Sequence, residues 1–293
     1  MMEGLRTDQI LLGDAAEVLK TFPDSSIDLV VTSPPYADNR KSTYDGVPID
    51  QYVDWFVPIG DQLARVLKPK GSFVLNIKER ALNGERQTYV LKLILELKER
   101  EWLWVEEYIW CKANAFPGKW PNRFRDAWER CLHFTKNKNF LMHQEAVMVP
   151  TGDWAKTRLT RLSETDQVRH ESRVESGLGR RVANWVGRDM AYPTNVLHHV
   201  PIDVPPEPVI HLPTECSNRG HSAAFPIELP KWFIKLFTSP GDVVLDPFIG
   251  SGTTALAARE LGRHFVGIEL NPTYYDLACK ALSKNAVQPT PVE

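Results

Sequence analysis

The stretch Ile27-Asp28-Leu29-Val30-Val31-Thr32-Ser33-Pro34-Pro35-Tyr36 decides how the whole chain is read. Ile27 to Val31 is an apolar, β-branched run of the kind that forms a buried strand. Pro34 and Pro35 then fix φ and remove two backbone donors, so the strand stops in a rigid turn. The carbonyls of Ser33 and Pro34 and the Ser33 hydroxyl can point together into a cleft, with the aromatic face of Tyr36 beside them. Acceptors under an aromatic plate suit a flat base whose amino group is both donor and reaction centre. Read alone, the same residues also fit an ordinary strand-ending turn with Tyr36 as half-buried core. A second motif far downstream tips the reading.

The 293 residues allow one large domain or two small ones. Shares of 43% hydrophobic and 25% charged residues are those of a soluble globular chain. Charge is unevenly placed. Between Cys111 and Phe140 seven Lys/Arg face two acids, a local +5 on a chain whose total is −2. A basic stretch of this kind fits contact with a polyanion, or simply a solvated face. The four cysteines, Cys111, Cys131, Cys216 and Cys279, form no CxxC pair and no zinc spacing. The first residues lack an apolar signal core, and no run is long enough to span a membrane. A reduced, cytoplasmic protein without a metal is expected.

Outward from the opening strand, strand and helix patterns alternate. Gln9–Leu12, Ser72–Ile77, Trp102–Trp110 and Cys131–Thr135 read as strands. Ala15–Phe22, Ile49–Leu67 and Thr88–Arg100 read as helices, the second closed by Pro69-Lys70-Gly71. The polar residues 37–48 read as a loop and a candidate lid. Alternation implies a parallel sheet with helices on its faces. From about residue 143 to 221 the period is lost, which marks an insertion or a small second domain. Alternation returns with strands at Val243–Leu245 and His264–Ile268 and helices at Thr253–Leu261 and Tyr274–Leu282.

The second motif is Asp246-Pro247-Phe248-Ile249-Gly250-Ser251-Gly252-Thr253-Thr254, set between a strand and a helix. Its glycines let the backbone approach a ligand, whose charged part meets amides at the helix start. Glu269 ends the next strand, 23 residues after Asp246. An acid at roughly 20 residues is where doubly wound folds hold ribose hydroxyls. These features point to a nucleoside cofactor. The third glycine expected for NAD and the lysine expected for ATP are both missing.

Together, TSPPY and DPFIGSGTT resemble the amino-group DNA methyltransferases that use S-adenosyl-L-methionine. The catalytic motif precedes the cofactor motif, as in the circularly permuted β group of that family. The resemblance covers most of the chain outside residues 143–220. It implies a doubly wound, mostly parallel α/β methyltransferase fold. Residues 1–142 would be its catalytic half, 143–220 an inserted target-recognition region, 221–285 the cofactor-binding half and 286–293 a tail. By the same resemblance Ser33, Pro34, Pro35 and Tyr36 are catalytic. Asp246, Pro247, Phe248, Gly250, Ser251, Gly252, Thr253 and Glu269 would bind cofactor. Phe225, in Ala224-Phe225-Pro226, would join them. Asp14 is similar to the family's acid near the cofactor adenine, with a helix N-cap as the equal alternative.

The family's cytosine N4 enzymes usually carry Ser before Pro-Pro-Tyr, as at Ser33, and its adenine N6 enzymes Asp or Asn. Cytosine N4 is therefore expected, with adenine N6 the alternative. An RNA or small-molecule methyltransferase and a non-catalytic DNA-binding module are the remoter readings. No Cys follows a Pro, which argues against covalent attack on a ring carbon. The partner implied is double-stranded DNA, with Lys119, Arg123 and Arg125 on its phosphates. The resemblance leaves room for a homodimer and for a cognate restriction endonuclease as functional counterpart. Tyr36 is expected to act through its ring, so that Tyr36→Phe should be mild.

Overall fold

In the computed structural model, residues 4–37, 46–112, 122–124, 126–151, 187–197 and 225–284 are described. Strand β1 (Gln9–Leu12) leads through helix α1 (Ala15–Leu19) to β2 (Ile27–Thr32). Helix α2 (Tyr52–Val66), β3 (Leu67–Ile77), the hairpin β4–β5 (Ala81–Leu82, Glu85–Arg86) and α3 (Tyr89–Glu99) follow. Next come β6 (Leu103–Cys111), β7 (Trp128–Thr135), the short pair β8 (Val149–Pro150) and β9 (Met190–Ala191), and β10 (Val196–Leu197). Helix α4 (Glu228–Phe237), β11 (Val243–Asp246), α5 (Thr253–Glu260), β12 (His264–Glu269) and α6 (Pro272–Lys284) complete the order.

One eight-stranded sheet carries the fold, in the order β1-β12-β11-β2-β3-β7-β6-β10. All neighbours are parallel except β7, which runs antiparallel to both β3 and β6. The mostly parallel α/β class expected from the motifs is therefore correct. The antiparallel direction of β7 departs from the parallel sheet that the alternation implied. A parallel return needs a crossover, usually a helix. Residues 112–127, with Pro117, Gly118 and Pro121, have no helical period to make one. Within the stretch expected as an insertion, β10 pairs with β6 and so belongs to the main sheet.

Burial on both faces explains why β2 reads as a continuous apolar run. Val30 faces one core with Leu19 of α1, Phe56 and Leu63 of α2, and Leu93 of α3. Leu29 and Val31 face the other, with Phe233 and Phe237 of α4, Ala255 and Ala258 of α5, and Ala278 of α6. In α2 the buried residues Tyr52, Phe56, Ile59, Leu63 and Val66 follow the helical period. The three buried alanines of α5 let that helix lie close on the sheet.

Helix α2 stops one residue earlier than its pattern suggested, because Leu67 is already extended and opens β3. Pro69 to Gly71 therefore lie inside the strand, where the β2–β3 register shifts between Ile27 and Leu29. A proline without a donor is tolerated at such an irregularity. Gly71 is required there, since a Cβ would stand 2.8 Å from the Asp28 carbonyl oxygen. Asp28 accepts from Val243 N at 2.9 Å and from Lys68 Nζ at 2.7 Å, tying β11, β2 and β3 together. Among the described residues no helix is long and apolar enough to cross a membrane.

Gly252, before α5, has φ +91, and a Cβ there would lie 3.2 Å from the Ala278 Cβ of α6. Gly252→Val should therefore lower stability by about 1–3 kcal/mol through backbone strain and crowding. Chemical denaturation of the purified variant measures this; an unchanged midpoint would show that α6 yields without cost.

Candidate active site

The site lies where strand order reverses. From β11 the chain proceeds outward to β12 on one side, and from β2 to β3 on the other. In open α/β sheets the crevice at the carboxyl ends of such strands holds ligands. Leu245 of β11 is level with Val30 of β2, so Asp246 comes opposite the end of β2. Thr32 Oγ1 donates to Asp246 Oδ1 at 2.5 Å, across 214 residues of sequence. Thr254 Oγ1 donates to Oδ2 at 2.7 Å and Phe248 N to Oδ1 at 3.0 Å. Both oxygens of Asp246 are thus engaged inside the protein. Its side chain organises the turn, a role the sequence did not suggest. Burial pushes its pKa up to about 6, against the lowering effect of the three hydrogen bonds.

The glycine turn is closed by Glu269. Its Oε2 accepts from Gly250 N at 2.9 Å and its Oε1 from Asn271 N at 2.8 Å. Gly250 has φ +54, a left-handed conformation open to glycine. The Glu269 carbonyl accepts from Gly13 N at 2.9 Å, which brings the end of β1 alongside. Asp14 follows and caps α1, accepting from Glu17 N at 3.2 Å, so the N-cap alternative is realised. Asp14, Asp246 to Thr253 and Glu269 therefore converge on neighbouring strand ends. Ser251 is buried, and Phe248 packs on Trp55 with ring centroids 5.6 Å apart. Phe225 is buried in the core cluster of α4 with Ile249.

Across β2 lies the proline turn. Pro34 is buried, and the Tyr52 hydroxyl holds the Pro35 carbonyl at 2.9 Å. Ser33 Oγ is 3.5 Å from the Tyr36 hydroxyl, which donates to Glu129 Oε2 at 2.7 Å and lies 3.5 Å from Asn76 Oδ1. Burial and then the Glu129 charge hold the Tyr36 hydroxyl well above the ordinary tyrosine pKa, so it stays a donor. Lys112 ion-pairs with the other Glu129 oxygen and sits 4.7 Å over the Trp110 ring.

Asn76, Lys112 and Glu129 escaped the sequence reading. The available signal was an acid at 129 next to the run Cys131–Thr135 that reads as a strand. Arg123 pairs with Asp126 at 3.3 Å, while Lys119 and Arg125 fall outside the described residues. Among the described residues no group of His, Cys, Asp and Glu could hold a metal ion.

Residues 27–280 match the family model described as DNA methylase. The chain belongs to this family. Among curated relatives, the type II methyltransferase M.PvuII of Proteus hauseri is 30% identical over 277 residues, covering 90% of this chain and 80% of that protein. The type II methyltransferase M.BglII of Bacillus subtilis is 29% identical, covering 94% of this chain and 69% of that one. Among solved structures, the cytosine-N4-specific PvuII DNA methyltransferase aligns with a TM-score of 0.66 at 24% identity, over 98% of this chain and 90% of that one. A candidate DNA modification methylase from Thermus thermophilus, solved with S-adenosyl-L-methionine, aligns at 0.59 and 25% identity, over 94% and 93%.

The hydroxyl of Tyr36 matters more in this methylase than the sequence implied. Tyr36→Phe leaves a buried Glu129 oxygen without its donor and should cost about 1.5–3 kcal/mol of stability. A denaturation midpoint equal to wild type would show that the Glu129 carboxylate does not depend on this donor.

Asp246 makes a pH-dependent contribution of unusual sign. Its folded pKa of about 6 lies above the unfolded value of 3.8. The folded chain therefore holds the proton more tightly, a stabilisation fully present below pH ~4 and lost as pH rises through ~6. Asp246→Asn cannot titrate. Its stability relative to wild type should rise by up to about 3 kcal/mol between those limits. Parallel unfolding curves at pH 4, 5, 6 and 7 test this; a constant difference refutes it.

Proposed function

We propose that this methylase transfers the methyl group of S-adenosyl-L-methionine to N4 of a cytosine flipped out of duplex DNA. The observation that carries the reading is the Thr32–Asp246 hydrogen bond, which sets the proline turn beside the glycine turn. The donor set fits the cofactor. Glu269 and Asp14 stand at adjacent strand ends as acceptors for hydroxyls, and Phe248 offers an apolar ring nearby. Asp246 supports the same site by holding the turn from Pro247 through Gly250, Ser251, Gly252 and Thr253. When bound, the cofactor supplies an electrophilic methyl group.

The rest of the chemistry belongs to the chain. A base amino group inside the duplex cannot be reached, so the target must leave the stack at a cost of a few kcal/mol. Stacking on Tyr36 returns roughly 1–3 kcal/mol. The amino lone pair is delocalised into the ring. Ser33 Oγ and the carbonyls of Ser33 and Pro34 accept the amino hydrogens and turn the lone pair toward the methyl group. A neutral hydroxyl at position 33 favours cytosine N4. The likeness to M.PvuII, whose solved structure is named cytosine-N4-specific, supports that choice.

Arg123, with Lys119 and Arg125, would contact phosphates, and residues 143–220 would supply sequence readout. Type II relatives make a cognate restriction endonuclease the expected functional counterpart.

Nucleoside mass spectrometry of DNA from expressing cells should show 4-methylcytosine. 6-Methyladenine in its place would move the target base and leave the rest, whereas 5-methylcytosine would contradict the non-covalent mechanism. Ser33→Ala should lower kcat by about 10²-fold with DNA affinity nearly unchanged.

A further inference from the structure

We propose that Phe124 is the wedge that enters the duplex and fills the gap left by the extruded base. This rests on the base-flipping reading above. Phe124 is 96% exposed, whereas Leu95, the next among the described large apolar residues, is 62% exposed. Other aromatic rings of this chain, such as those of Phe56 and Phe134, are buried. Proteins that open or bend DNA insert apolar side chains of this kind between base steps.

The ring projects from an anchored base. Two residues on, Asp126 pairs with Arg86 at 2.5 Å, with Lys78 at 3.3 Å and with Arg123 at 3.3 Å. Asn122 rests on the β4–β5 hairpin, its Nδ2 only 3.0 Å from where a Cβ on Gly84 would stand. Lys78 immediately follows β3, and Leu75 of β3 pairs with Thr32 at the end of β2. Asn122, Arg123 and Asp126 are therefore fastened to the rim of the sheet that carries Ser33 and Tyr36. Glu129, three residues further on, touches the Tyr36 hydroxyl itself.

Charge identifies the occupant. Three cations share the single Asp126 carboxylate beside the ring. A lone aromatic side chain among excess positive charge matches a stack of bases between phosphate backbones. Tyr36 would hold the base that leaves, and Phe124 the space that it leaves behind.

The test uses the whole enzyme and two synthetic duplexes carrying a site mapped in DNA from expressing cells. One duplex is fully paired. The other places an abasic residue opposite the target base, so that little pairing has to be broken. Phe124→Ala should lower kcat/KM by about tenfold on the paired duplex and stay within about twofold of wild type on the other. Phe124→Leu, which keeps an apolar wedge, should retain most of the activity on both. S-adenosyl-L-methionine titration of each variant, expected unchanged, reports an intact fold. Wild-type rates for Phe124→Ala on the paired duplex would overturn the wedge, as would an equal loss on both duplexes. A wild-type enzyme that methylates no DNA would instead overturn the flipping reading itself.

Discussion

The buried hydrogen bond from Thr32 to Asp246 is the constraint on which the site depends. It joins the last residue of β2 to the last residue of β11, strands that neighbour each other at the reversal of the sheet. Adjacent strands lie about 4.8 Å apart, so the proline turn and the glycine turn are held at one spacing by the ladder itself. A carboxylate in such a place is expensive unless its oxygens are satisfied. Thr32, Thr254 and the Phe248 amide satisfy them. The bond takes its donor from the end of β2 and its acceptor from the end of β11, so neither turn is complete without the other.

The reversed strand β7 has a second consequence. Because β7 is antiparallel to β3, it begins at the rim where β3 ends, with Ile77 level with Arg130. Glu129 thereby reaches the Tyr36 hydroxyl. Strand β6 runs in the same direction as β3 and delivers Lys112 to the same rim, where its amide bonds the Ala127 carbonyl at 2.7 Å. The connection between Lys112 and Ala127 therefore starts and finishes beside the proline turn. It holds Lys112, Lys119, Arg123 and Arg125 of the basic stretch noted in the sequence.

How much could be read in advance follows from what each residue reports. Ile27–Val31 and Val243–Leu245 were legible because strands buried on both faces leave continuous apolar runs. Helix α2 was legible because one face is buried and the other is wet. The entry into β3 was misplaced, since Pro69 and Gly71 read as helix terminators while tertiary pairing keeps them in an irregular strand. The direction of β7 depends on what lies between β6 and β7, and periodicity within a strand does not report it. Asp14 could be read two ways, and its side chain caps a helix while standing at the carboxyl ends of β1 and β12. The pairing of Glu129 with Tyr36 and Lys112 joins three separate strand ends, and no local pattern contains it.

These contacts also bear on why a hydroxyl stands at position 33. Ser33 Oγ lies 3.5 Å from the Tyr36 oxygen, which lies 2.7 Å from the Glu129 carboxylate. One cation, Lys112, is paired with that carboxylate. An acid at position 33 would bring a second negative charge within two hydrogen-bond lengths of Glu129, with Asp246 already buried at the neighbouring strand end. Like charges so close do not ionise together, and one would hold its proton. Serine avoids that conflict and still offers an acceptor to an amino hydrogen. The surrounding carboxylates, each committed to its own donors, thus make a neutral residue the fitting one at position 33.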